Sequence, residues 1–524
     1  MDEAVLNLTV FETLYPEKRP FFTEGAMFFT FGASVDNTPL PLFFSRRIGK
    51  RPSGNDTLTV RPDETVVDLP QATTILGALK LSGRSRAGLS VGAVSAATSK
   101  EEALLRGQNG VERSAVTEPR ATYNAVRMRQ EFADGSWLGG IATLAARDGI
   151  SPAFSAGLDW NLRWGQASHS LDGYLAAVRA SSSSPREVGT AGRLMVARLS
   201  AEHWFYAGSY SFFTRAFDIN DLGFFARPHD HGGYAQLAYR EFFAPGILRR
   251  YGISLVPEAR WNWDGVATMV QAELSAGFEF TNFWSGQLSC VVRLPAYDDA
   301  ERGIIGTYRR PASELFSLQV STDQRQSVVG TLRVGYDVDH LAKTGLTALL
   351  ALESRPFSWM ELSPGLLYQR VRREETGVLA NGAIATTSTP TGTVSLFADR
   401  DVDQTSVDLR GILTFTRRLS LQFYLQVLLA RGRYTDYRGL ASPTTFVPPG
   451  GDVGSYDFNE ATLNANILLR WEYVAGSTFY LVWTQSRYGD SGTYSTTFGQ
   501  RLGEISLLPT ENVFLAKLSY WLPL

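Results

Sequence analysis

The chain has 524 residues, enough for several soluble domains or one large barrel, and its 50 Lys+Arg against 52 Asp+Glu leave no global charge that calls for a nucleic-acid or polyanion partner. Only 19% of residues are charged while 12% are aromatic and 48 are glycine, a balance that suits aromatic girdles and tight turns. The single cysteine, Cys290, rules out an intramolecular disulfide and any cysteine-based metal site, and its setting in Gln287–Val292 reads as a buried, inert thiol.

Residues 1–70 differ from the rest. Thr9–Gly25 is dense in charge and aromatic side chains, with Pro16 and Pro20 blocking regular structure, and a polar Gly/Pro-containing loop occupies 51–70. We expect an irregular segment or short hairpin packed in or across one barrel mouth. Met1-Asp2-Glu3 is acidic and no apolar stretch follows, so a signal peptide is not present in this chain and an upstream region is expected to have preceded it.

From Ile75 onward, strand-like segments follow one another near 75–82, 86–97, 119–132, 136–146, 152–164, 167–180, 192–204 and 206–216, then 231–243, 249–263, 266–280, 282–295, 313–321, 326–338, 343–353 and 357–372, and finally 404–417, 418–432, 457–474, 476–488 and 512–522. Successive strand side chains point to opposite faces. In 153–164, Phe154, Ala156, Leu158, Trp160, Leu162 and Trp164 oppose Ser155, Asp159, Asn161 and Arg163. The same split sets Val270, Leu274 and Phe278 against Glu273 and Glu279, and Val328, Leu332, Val334 and Tyr336 against Arg333 and Asp337. It sets Val407, Leu409, Leu413 and Phe415 against Asp408 and Arg410, and Leu419, Leu421, Phe423, Leu425, Val427 and Leu429 against Gln422, Tyr424 and Gln426. In 463–473, Leu463, Ala465, Ile467, Leu469, Trp471 and Tyr473 oppose Asn464, Asn466, Arg470 and Glu472. Segments 121–132 and 477–488 alternate poorly.

One greasy and one wet face, repeated along the chain, predict an all-β fold: a transmembrane antiparallel up-and-down β-barrel over 71–524, with residues 1–70 as a plug or linker. Barrels of this type close with an even number of strands, so about 20 are expected, within 18 to 22. No apolar run approaches the ~18 residues of a membrane helix, so any crossing must be made by strands. Joints at Ala133-Asp134-Gly135, Asn282 and Ala475-Gly476 are short, whereas 98–118, 217–230, 296–312, 373–403, 433–456 and 489–511 read as long polar loops. The chain ends on an alternating strand, Phe514–Leu522, of the kind that outer-membrane assembly machinery recognises, although Pro523-Leu524 displaces the usual final aromatic.

Asn7–Phe22 followed by Phe43–Gly49, with Leu469–Tyr473, Gly476–Thr478, Leu481–Gln485 and Phe514–Leu522, resembles the C-terminal β-barrel domain of a bacterial outer-membrane family of unknown function. That domain usually follows a family-nine-like carbohydrate-binding domain. The resemblance implies a cell outer-membrane location, a lipid bilayer with lipopolysaccharide as surroundings, and a glycan as a possible ligand. It carries no chemistry.

The inward charges Asp159, Arg163, Glu273, Glu279, Arg333, Asp337, Asp408, Arg410, Arg470 and Glu472 read as lumen-facing ion-pair ladders, in preference to a glycosidase pair. Glu12, Glu17, Lys18, Arg19, Arg46 and Arg47 are the candidate plug or gate charges, with Phe11, Tyr15, Phe21, Phe22, Phe28, Phe29 and Phe31 favouring a docked segment. The alternative is a bare linker from an upstream domain. His229-Asp230-His231 reads as a solvated turn in preference to a metal site. Ser168-His169 and Glu202-His203-Trp204 lack spacing that would build a hydrolase. No catalytic residue, metal or cofactor is assigned. The expected function is passage or handling of a solute, glycan-related by the resemblance; the alternatives are a closed barrel anchoring an upstream carbohydrate-binding domain and a membrane-embedded hydrolase.

Overall fold

A computed structural model describes residues 6, 12, 14–32, 36, 38–182, 187–299, 305–380, 383–390, 392–492, 494 and 497–521. Among them the regular structure is nearly all β, and one large antiparallel sheet takes 21 strands in sequence order. They are β1 (Ile75–Arg84), β2 (Leu89–Thr98), β3 (Ala121–Glu131), β4 (Trp137–Arg147), β5 (Ala153–Trp164), β6 (His169–Arg179), β7 (Gly189–Arg198), β8 (Trp204–Phe213), β9 (Asp230–Glu241), β10 (Leu248–Trp261) and β11 (Ala267–Phe280). The rest are β12 (Ser285–Arg293), β13 (Ser313–Ser321), β14 (Val328–Asp339), β15 (Thr344–Phe357), β16 (Met360–Gly377), β17 (Gly392–Thr416), β18 (Leu419–Ser442), β19 (Phe458–Val474), β20 (Ser477–Asp490) and β21 (Thr510–Ser519). The number falls in the expected range but is odd. No helix of the described residues is long and apolar enough to cross a membrane.

The chain packs as two units. The first comprises Leu14–Leu237 and Glu258–Ala267. Here one face of the sheet is greasy and open: Leu158 is 66% exposed, whereas its neighbour Asp159 is 1% exposed. The opposite face is lined by small residues, among them Ala96, Ala121, Ala125, Ala145, Ala176 and Ala191, and the described residues of 14–50 lie against it. Phe22, Phe29 and Ile48 pack on Val94, Tyr123 and Ala153; Phe31, Leu40 and Leu42 pack on Ile141, Tyr174 and Val178. The small wall residues are what admit the aromatic rings. At Gly157 an added Cβ would sit 2.4 Å from the Phe31 ring. Burying those six large side chains of the segment contributes roughly 10–15 kcal/mol before entropy is counted.

The expectation of a long polar loop over 98–118 is corrected. Glu101–Gly107 and Glu112–Glu118 form a hairpin that pairs with Glu64–Asp68 in a separate three-stranded sheet. Arg113 binds Glu64 at 2.7 Å there, so residues that read as loop charges are cross-strand partners.

The second unit comprises Met1–Thr13, Ala238–Pro257 and Thr268–Leu524. Turns at 358–359, 417–418 and 475–476 are short, and at the opposite strand ends the connections are long except at 340–343. The expected loops at 373–403 and 433–456 are in large part strand, because β16, β17 and β18 run on for 18, 25 and 24 residues. Their polar extensions are held by charge pairs across the ladder, Arg400 with Glu374 at 2.6 Å and Arg438 with Asp399 at 2.6 Å.

Two smaller corrections follow from the 491–509 connection and the β12 wall. Leu429, expected on the open greasy face, is buried beneath Ile505 and Leu508. The helix Phe498–Glu504 that precedes them interrupts the expected polar loop; it is capped by Thr497, whose side chain accepts from the Gln500 amide. Cys290 is not fully buried; it sits partly exposed on the greasy row, opposite Leu274 and Phe316.

Candidate functional site

The clearest built site lies where residues 14–50 meet the wall of the first unit. Pro20 opens a single helical turn and Gly25, at φ +64°, turns the chain out of it. Glu17 locks this turn to the next one. It accepts from Arg19 Nη2 at 2.6 Å and from Ser45 Oγ at 2.6 Å, while Arg19 also donates to the carbonyls of Ser45 and Ile48. Burial pushes the Glu17 carboxyl up, but the hydrogen bonds from Arg19 and Ser45 outweigh it and hold the group at about 2. Lys18 gives its backbone amide to the same carboxylate, and the Arg46 guanidinium lies 5.8 Å from the centre of the Tyr15 ring. Glu12 is exposed. Phe11 lies outside the described residues.

The wall reaches the segment through its own polar groups. Lys80 donates to the carbonyls of Phe21 and Glu24. Arg127 donates to the Thr30 carbonyl at 3.1 Å and to Asp159 at 2.7 Å, and Asp159 accepts the Gly32 amide at 2.9 Å. Farther along, Arg193 pairs with Asp36, to which the Tyr234 hydroxyl also donates at 2.8 Å. The connection 214–229 folds back onto the same face. Phe44 donates its amide to the Leu222 carbonyl, Phe224 donates to that of Pro41, and Arg47 donates to the carbonyl of Gly223 at 2.9 Å.

Beside this connection is a cavity of about 420 Å³ whose polar lining includes Lys50, Ser53, Glu118, Arg147, Asn220 and Asp221. Arg147 and Asp221 pair at 2.5 Å, and Ser181 donates to Asp221 through both its amide and its hydroxyl. Burial raises the Asp221 carboxyl, but these bonds more than offset it and leave the group ionised below the usual carboxylate range.

Most of the expected lumenal charges are partnered by residues other than one another. Glu279 binds Arg249 and Arg250, Asp337 binds Lys343 at 2.6 Å, and Arg333 donates to Gln319 at 2.6 Å. Arg163 donates to Asn161 at 3.0 Å, and the Arg410 guanidinium lies 5.3 Å from the Tyr424 ring centre. Asp408 fills the space left by Gly365, and Glu273 lies partly buried on β11. Arg470 and Glu472, 3.4 Å apart, are two of the named set that do meet. Arg127 and Arg193 escaped the sequence reading; a cation in the middle of an Ala-rich strand is the signal that would have found Arg127.

The histidines do not converge. His229 faces Asp264 at 3.0 Å, His231 faces the Tyr210 hydroxyl at 3.1 Å, and Asp230 takes Arg260. Ser168 Oγ lies 2.9 Å from His169 Nδ1 but also donates to the Gly165 carbonyl, and His169 stacks on Trp164. His203 lies 3.6 Å from Glu202. Among the described residues no group of three or more His, Cys, Asp or Glu side chains could hold a metal ion.

Fold and site together define an all-β protein whose large antiparallel sheet carries an N-terminal segment docked on its small-residue face. The chain belongs to the family described as a domain of unknown function, DUF5916, whose model matches residues 1–523. No curated protein matches the sequence. Among solved structures it is similar to the outer membrane transporter YddB from Escherichia coli, at 9% identity and a TM-score of 0.36, over 78% of this chain. The chain spans 62% of that structure's length.

Proposed function

We propose that this protein is a β-barrel of the bacterial outer membrane that passes or handles a hydrophilic solute, with residues 14–50 as a constriction fixed on the inner wall. The observation that carries the reading is the opposite chemistry of the two sheet faces. In the first unit Leu158, Leu175 and Leu194 stand open on one face, while the other is closed over by the docked segment and its buried Arg127–Asp159 pair. In water such a greasy face is a liability; in lipid it is the required exterior. The glycan component rests on the sequence resemblance and on the cavity at Arg147 and Asp221, whose size and density of donors and acceptors suit sugar hydroxyls.

The test is ion conductance in planar bilayers. The full chain should give a small conductance that rises when the segment is released by the double substitution Phe31→Ala and Leu42→Ala, and added oligosaccharides should block the current. Absence of channels in both forms, with insertion verified, would favour a closed anchor. That second reading has its own support in the dry packing of the segment.

A further inference from the structure

Beyond the apolar band of the second unit, the greasy side of the sheet changes abruptly to arginine. Register aligns Leu366 on β16 with Val407 on β17 and Val427 on β18; two residues farther, Tyr368 aligns with Thr405 and Leu429; two farther again, Arg370 aligns with Asp403 and Arg431. Side chains two apart share a face, so Arg370, Arg372, Arg431 and Arg433 stand on the same side as Leu366, Val407 and Val427. From Thr405 to Phe415 the strand advances by ten residues, ~33 Å along its axis and ~25 Å along the normal at a tilt of about 40°, which is the height of a barrel's apolar band. The arginines therefore begin where the acyl chains end.

They converge. Asp403 accepts from Arg372 at 2.6 Å and from Arg370 and Arg431 at 3.2 Å each, and Tyr494 donates to it at 3.1 Å. Asp401 accepts from Arg433 at 3.3 Å. Four guanidinium groups against two carboxylates leave two positive charges in surplus, and the side chains of Arg370 and Arg433 are about half exposed. The row lies at the end that carries the longer strand extensions of β16, β17 and β18, away from the short turns at 358–359 and 417–418, and in outer-membrane barrels the longer loops face outward.

We propose that this row binds the phosphate groups of a lipopolysaccharide molecule in the outer leaflet, an inference that rests on the outer-membrane reading above. Guanidinium forks bind phosphate bidentately, and the greasy rows of Leu366, Val407 and Leu425 beneath them would take the acyl chains. The polar groups that already meet the arginines, Asp401, Asp403 and Tyr494, hold the four forks in one place.

The test uses the full chain purified in detergent and titrated with diphosphorylated lipid A, with dephosphorylated lipid A and with phosphatidylglycerol. R370Q/R433Q leaves the Arg372–Asp403 pair intact, and R417Q/R418Q removes the same charge from the opposite rim. The first variant should bind diphosphorylated lipid A about 30-fold more weakly than the parent chain. The second variant should bind it as the parent does, and both variants should bind the dephosphorylated lipid alike. Equal affinity of R370Q/R433Q and the parent, or equal competition by phosphatidylglycerol, overturns the assignment while the barrel stands. A chain that stays compact and dissolved without detergent overturns the membrane reading and this inference together.

Discussion

Arg127 on β3 and Asp159 on β5 meet at 2.7 Å across the intervening strand β4, over Gly139, with side chains 3% and 0% exposed. The pair also holds the docked segment, because Arg127 reaches the Thr30 carbonyl and Asp159 takes the Gly32 amide. Removing one partner strands the other charge in a dry site. Asp159→Ala should destabilise the folded protein by about 3–5 kcal/mol, read as a lowered thermal midpoint in detergent, and Arg127→Met added to it should recover most of the loss. If the double variant is as unstable as the single one, the pair is not what the site depends on.

Gly139 makes that approach possible. An added Cβ would lie 2.3 Å from Arg127 Nη1 and 2.7 Å from Asp159 Oδ1, so the pair itself must move aside. Gly139→Ala should cost about 1–3 kcal/mol and expose the segment to protease, whereas Gly83→Ala, with open space around it, should do neither.

Acid should loosen the segment before it unfolds the sheet. Glu17 is held at about 2 against a value of 4.5 when free, so its contribution is complete above 4.5 and is lost as pH falls from there through about 2. The protection of amides over 14–50, taken against their intrinsic exchange rate at each pH, should therefore fall across that window. Glu17→Gln should show low protection already at neutral pH and little further loss; an unaltered pH profile of protection in that variant would remove Glu17 from the account.

The two sheet faces give opposite outcomes for one type of substitution. Val407 is 47% exposed, so in a water-soluble protein Val407→Lys would be nearly neutral. Against lipid it should cost about 2–4 kcal/mol and reduce assembly into membranes, while Gln422→Lys on the other face should be tolerated. Equal tolerance of both would place water, not lipid, beside Val407.

Period-two alternation was enough to locate nearly all the strands of the sheet, because in the second unit the two faces carry opposite side-chain chemistry. It faltered over 121–132 for a physical reason. There Ala121, Tyr123 and Ala125 face the docked segment while Val126 and Met128 face outward, so both sides of β3 are apolar and no contrast survives. Charge density misled in the other direction: Glu374, Asp399, Arg400 and Arg438 look like loop residues in isolation, and only pairing across strands turns them into a ladder. The site was half visible. The aromatic residues of 14–31 marked a docked segment, but its true tethers, Lys80, Arg127 and Arg193, belong to distant strands and carry no local signature.

The tethers also impose an order of events. Thr30 waits for Arg127, Asp36 for Arg193 and Arg47 for Gly223, partners 97, 157 and 176 residues later in the chain. The segment precedes all of them in the chain, and eight strands must be laid side by side before its last clasp exists. Its phenylalanines thus wait for a wall that is built entirely from later sequence, and a segment that comes before the strands settles only after them.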